Sequence, residues 1–145
     1  MRIVVVAVGK VKDKPLRAAL DEYLGRVRRY VACDEIELAD AKEADLEKAF
    51  AKAAGDATAI ALEVEGKAMT SEAFARSLEK LGARGKGTIA FVIGGADGLP
   101  ASVSKAAHDR WSLSSLTFPH RLARLVLVEQ IYRAMTILKG APYAH

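Results

Sequence analysis

A chain of 145 residues with 51% hydrophobic and 28% charged side chains has the size of one domain with a full core. It contains no apolar run long enough to span a bilayer, so no membrane partner is expected. A single cysteine, Cys33, excludes an internal disulfide or a cysteine-based metal site and suits a reducing cytoplasm. The net charge of +4 leans towards a polyanion such as nucleic acid. Its position sharpens that lean: Lys10, Lys12, Lys14 and Arg17 follow the first apolar run, with Arg26, Arg28 and Arg29 soon after, while acids gather between Glu35 and Glu47. On charge alone, a solvated helix face explains these residues equally well.

The opening "MRIVVVAVGK" is too short for a secretory signal and reads as a strand. Its continuous β-branched run from Ile3 to Val8 suits a parallel strand buried on both faces. Pro15 opens a helix with Leu16, Leu20, Tyr23, Leu24 and Val27 at helical spacing. Cys33 to Leu38 predicts a short strand, and the alanine-rich Glu43 to Ala54 a helix stopped by Gly55. Thr58 to Val64 predicts a third strand, closed by Gly66. Thr70 is placed as the N-cap of a helix through Leu81, with Gly82 just past its end. Thr88 to Ile93 is the fourth strand, Pro100 opens a short helix to about His108, and Trp111 to Leu113 is a brief fifth strand. Pro119 precedes a long helix from about Arg121 to Leu138, closed by Gly140 and Pro142.

Strict alternation of strands and helices, without repeats or linkers, predicts a single three-layer α/β domain over residues 1–145 with a mainly parallel sheet. In the last helix, Leu122, Leu125, Val126, Leu127, Val128, Ile131, Met135 and Ile137 leave no wide polar face. One side meeting the sheet and another meeting a second copy predicts a homodimer.

The stretch "FVIGGADGLP" runs a buried strand into Gly94, Gly95 and Gly98, so something approaches that backbone closely. A dinucleotide fingerprint fails on glycine spacing and on the missing acid after the next strand. Walker spacing is absent near Gly9 and Lys10, there is no G-x-S-x-G elbow, and His108, His120 and His145 lack metal-ligand spacing. What remains is a backbone-lined pocket at the carboxyl ends of parallel strands. Leu62, the turn at Gly94, and the loop from Leu113 to Phe118 are its candidate walls. Each alone is as well explained as an ordinary turn, and together they imply a nucleotide-like ligand without naming it.

At these residues the chain resembles a known family. "VIGGADGL", "WSLSSLTFPHRLARLVLVEQIYRA" and the closing "PYAH", with the opening "VAVGK" and "LDEYLGR", are similar to the RlmH family of SPOUT methyltransferases. The resemblance covers essentially the whole chain. It implies S-adenosylmethionine-dependent methylation of N3 of a pseudouridine in 23S rRNA within the ribosome, with no metal. It also implies an obligate homodimer and an α/β sheet whose C-terminal part forms a deep trefoil knot. Carried over by matching motif, Leu62, Gly94, Leu113, Ser114, Ser115, Leu116, Thr117 and Phe118 would hold the cofactor, with Gly95 adjoining. Lys10, Lys12, Arg17 and Arg26 are the proposed RNA contacts. The family's usual Pro-Tyr-His-Arg ending, with a histidine before the proline, is altered here: Ala141 precedes Pro142, Ala144 follows Tyr143, and His145 stands where arginine is expected. Tyr143 and His145 are therefore the catalytic candidates, with Asp97 a rival proton acceptor and Glu129–Arg133 a helical ion pair. A SPOUT-like dimer that binds RNA or nucleotide without transfer is the alternative function.

Overall fold

The computed structural model describes residues 1–143; Ala144 and His145, including the catalytic expectation for His145, lie outside the described residues. Ten elements alternate: β1 (Arg2–Val8), α1 (Lys14–Arg28), β2 (Ala32–Leu38), α2 (Glu43–Ala54), β3 (Thr58–Ala68), α3 (Ser71–Gly82), β4 (Thr88–Ile93), α4 (Ala101–Ala106), β5 (Asp109–Ser112) and α5 (His120–Lys139). The strands form one five-stranded sheet in the order β2-β1-β4-β3-β5, and every pairing is parallel.

The unbroken apolar run of β1 follows from this topology. Ile3, Val5 and Ala7 face one core with α1, α3 and α5, while Val4, Val6 and Val8 face a second core that includes Phe50 of α2. Residues two apart share a face, so a strand covered on both sides needs apolar residues throughout. β4 repeats the pattern, with Ile89, Phe91 and Ile93 on one side and Ala90 and Val92 on the other. Cys33 belongs to the first core, and burial pushes its thiol up to about 11, so it is an inert packing residue.

Several boundaries differ from those read in the sequence. Gly66 does not close β3, which continues to Ala68; β5 lies against it at a register shift between Leu62 and Lys67. A Cβ on Gly66 would sit 2.6 Å from the Trp111 carbonyl carbon, so the glycine permits close approach of two strands. Gly82 is the last residue of α3, and its missing side chain makes room for Met1. α4 stops at Ala106, and β5 starts two residues early at Asp109. Thr70 does cap α3, accepting from the Ala73 amide at 3.1 Å, and Gly140 ends α5 in the left-handed conformation at φ 65°.

The apolar surface of α5 is used mainly inside the chain. The helix lies beside both α1 and α3, and Leu127, Val128, Ile131 and Met135 are buried in the first core. Val128 is thus unavailable to a second copy; Leu122 and Ile137, each 41% exposed, are the apolar side chains α5 leaves outside.

Candidate active site

The middle of β3 from Leu62 to Glu65, where it runs past its pairing with β4, the carboxyl end of β4 and the loop after β5 border a cavity of about 420 Å³. Leu62, Gly94, Gly95, Leu113, Ser114, Leu116, Thr117 and Phe118 line it, and His120 and Ala123 of α5 complete one wall. Ser115 is exposed and does not line it. Seams at the carboxyl ends of parallel strands are where open α/β sheets hold ligands, and this volume suits a small-molecule cofactor.

The glycine turn is shaped first by its own chain. A Cβ on Gly94 would lie 2.2 Å from the Gly98 carbonyl carbon and 2.4 Å from the Leu99 nitrogen. Gly98, at φ 79°, donates its amide to the Gly95 carbonyl at 3.0 Å, closing a tight turn through Ala96 and Asp97. The close approach inferred from the sequence is therefore chain against chain. The turn's backbone edge forms a cavity wall as a result, and Asp97 is exposed outside the lining. On the opposite side, the Ser112 hydroxyl donates to the Ser114 carbonyl at 2.9 Å, and the Ser114 hydroxyl accepts from the Leu116 amide at 3.0 Å. These bonds set the loop and leave Leu116 72% exposed at the rim.

Three polar residues in this lining escaped sequence reasoning. Glu63 and Glu65 follow Leu62 on β3, and the Ser104 hydroxyl of α4 donates to the Glu63 carboxylate. His120 stands at the start of α5; burial, then the nearby Arg121 and Arg124, hold its imidazole below the usual range and favour the neutral ring. Only the nearness of the two acids to Leu62 could have pointed to them.

The basic candidates separate into two kinds. Lys10 and Lys12 are exposed on the loop after β1. That loop is pinned: the Val11 amide donates to Glu37 at 3.0 Å, and Arg124 donates to the Gly9 carbonyl at 2.9 Å. Arg17, by contrast, is engaged with Asp21 at 2.7 Å and Glu35 at 2.6 Å, and its pKa is raised, chiefly by the bond to Glu35. It belongs to a structural cluster with Arg124, which bonds Glu35 at 2.9 Å and Glu37 at 2.5 Å. Arg26 pairs with Glu22 at 3.2 Å and lies over the rings of Tyr23 and Tyr132, 4.9 and 5.5 Å from their centroids.

Tyr143 sits elsewhere. It lines a second groove, of about 580 Å³, with Ser71, Gln130, Arg133, Thr136 and Ile137, sharing no residue with the first cavity. Its hydroxyl donates to Glu129 at 2.9 Å, Arg133 pairs with the same carboxylate at 2.7 Å, and the Arg133 guanidinium lies 4.6 Å from the Tyr143 ring centroid. Burial, with the bonds to Tyr23 and Glu129, pushes the phenol well above its ordinary range. Tyr143 is therefore a neutral hydrogen-bond donor at neutral pH, not a phenolate base. The expected Glu129–Arg133 pair is present, and it also holds Tyr143.

The family model described as "Predicted SPOUT methyltransferase" matches residues 1–145. The chain is 69% identical over 145 residues to the ribosomal RNA large subunit methyltransferase H of Sorangium cellulosum, covering 100% of both. It is 44% identical over 157 residues to the protein of the same name from Bacillus pumilus, covering 99% of each. Among solved structures, a probable methylase family protein from Haemophilus influenzae aligns with a TM-score of 0.61 at 11% identity, over 99% of this chain and 70% of that one. A probable methyltransferase from Bordetella pertussis aligns at 0.57 and 12% identity, over 92% and 93%. At such identities the structural likeness shows the fold alone, and the sequence likeness carries the family. With a full-length family match, close full-length relatives and a strand-end cavity on a parallel sheet, this chain belongs to the SPOUT methyltransferases, in the RlmH family.

Proposed function

We propose that this protein methylates N3 of a pseudouridine in 23S rRNA, using S-adenosylmethionine, and acts as a cytoplasmic homodimer on the assembled ribosome. The observation that carries the reading is the cavity in which Leu62, the Gly94 turn and the 113–118 loop converge. Its apolar side chains and backbone edges fit a flat adenosine-like group, which hydrogen-bonding main chain can read. The cofactor would supply an electrophilic methyl group. The chain's own contribution is to hold and orient it, to exclude water with Leu116, Phe118 and Leu113, and to bring the nucleophile in line. Pseudouridine N3 is an imide and must lose its proton before or during attack, so a base or an anion-stabilising environment is required. Tyr143, a neutral donor engaged with Glu129 in the second groove, does not serve as that base. The trefoil knot belongs to the same reading, as do Lys10 and Lys12 as phosphate contacts.

The separation of Tyr143 from the cavity, together with the altered tail, favours one other reading: a SPOUT-like dimer that binds RNA or nucleotide without transfer. Mass spectrometry of large-subunit RNA from cells with and without the gene separates the two. A methylated pseudouridine lost with the gene and restored by it supports transfer; identical RNA from both strains contradicts it.

A further inference from the structure

We infer that Glu63 and Glu65 make the cavity selective for a cationic sulfonium ligand over its neutral thioether product. The inference rests on the cofactor reading above and adds a role for two residues on β3. The chain carries a net charge of +4, yet among the described residues the cavity lining has two carboxylates and no lysine or arginine. Arg124, which follows Ala123, is taken up by Glu35 and Glu37, and Arg121, which follows His120, is exposed and lies outside the lining. His120, on the wall formed by α5, favours its neutral ring and contributes no opposing charge.

Glu63 and Glu65 are two residues apart on β3 and so share a side. The buried Ser104 hydroxyl fixes one oxygen of Glu63, and a carboxylate retains further acceptor capacity beyond that bond. In a partly enclosed apolar cavity such charges act more strongly than in open water. Methyl transfer breaks the sulfur–methyl bond with its electron pair left on sulfur, and a bond forms from the methyl carbon to the nucleophile. The sulfonium charge disappears in that step. Glu63, fixed by Ser104, and Glu65 beside it would therefore attract the substrate cofactor and lose their hold on the spent one.

The test is calorimetric titration of the full chain with S-adenosylmethionine and S-adenosylhomocysteine. Glu63→Gln with Glu65→Gln should lower the ratio of the two affinities by about tenfold, mainly by weakening the sulfonium ligand, with each single change giving part of that. Ser104→Ala, which keeps the charge and frees the carboxylate, should have a smaller effect than Glu63→Gln. Equal weakening of both ligands would mean contact with their shared adenosine part and overturn the inference, as would an unchanged ratio. If the unaltered chain binds neither ligand, the cofactor reading itself falls, and this inference with it. Should the double variant fail to fold, the single changes decide, since Glu65 is exposed and its glutamine is isosteric.

Discussion

Arg124 of α5 donates to Glu37 of β2 at 2.5 Å across the carboxyl end of the sheet, with its side chain fully buried. The same guanidinium reaches Glu35 at 2.9 Å and the Gly9 carbonyl at 2.9 Å. One residue thus ties the N-terminal part of α5, which borders the cavity, to the loop that carries Lys10 and Lys12.

Removing that tie should destabilise the fold. Arg124→Met leaves two carboxylates without their buried partner, so urea denaturation should show a loss of about 3 kcal/mol. Arg2→Ala, which breaks an exposed pair with Asp34, should cost less than about 1 kcal/mol. The network also sets an acid limit. Burial opposes ionisation of Glu37, but the Val11 amide and Arg124 outweigh it and hold the carboxyl below its ordinary 4.5. Its stabilising contribution is therefore complete above about pH 4.5 and is lost as pH falls through the lower folded value. Melting curves should show that acid-side loss in the unaltered chain and a shallower one in Glu37→Gln.

The two crowded glycines should fail differently. Gly66→Ala drives a Cβ into the Trp111 backbone, so it should cost about 1–3 kcal/mol as β3 and β5 separate. Gly94→Val should abolish S-adenosylmethionine binding by displacing the Gly98–Leu99 segment, with the rest of the sheet intact. Calorimetry giving an unchanged affinity for a folded Gly94→Val protein would remove this turn from the cofactor site.

For RNA, the basic residues divide. Lys10→Ala and Lys12→Ala should each take away one phosphate partner and flatten the dependence of log affinity on log salt by about 0.7–0.9. Arg17→Ala should instead lower the melting temperature, because its partners are Glu35 and Asp21. A salt slope unchanged by both lysine substitutions would make the loop a solvated surface.

Assembly is tested on the exposed apolar residues of α5. Leu122→Glu or Ile137→Glu should yield folded monomers in sedimentation at micromolar concentration, about the range of ordinary interface affinities. Val128→Glu should unfold the chain, since that side chain is buried in its own core. A stable monomer of the unaltered protein would remove the dimer.

The layered parallel sheet was legible because its signals are local: β-branched runs in β1 and β4, Thr70 as a cap, Gly55 and Gly140 as stops. What misled depends on the packing of distant segments. Gly66 looks like a strand end until Trp111 is placed against it, and the share of α5 that α1 and α3 cover cannot be read from its apolar pattern. The cavity walls followed from strand-end position and motif; the Glu63 carboxylate bonded by Ser104 did not, because 41 residues separate that pair. Arg17 reads as a free cation in a basic stretch, and only β2 reveals the acids that take it up.

The most direct measurement is transfer of a radiolabelled methyl group from S-adenosylmethionine by the purified protein to free 23S RNA, isolated large subunits and whole ribosomes. Incorporation is expected on whole ribosomes at N3 of a pseudouridine, about tenfold above free RNA. Gly94→Val should lose activity, and His145→Ala should show a reduced rate with nearly intact cofactor affinity. A folded protein that binds S-adenosylmethionine yet labels none of the three substrates would contradict the proposed methyl transfer.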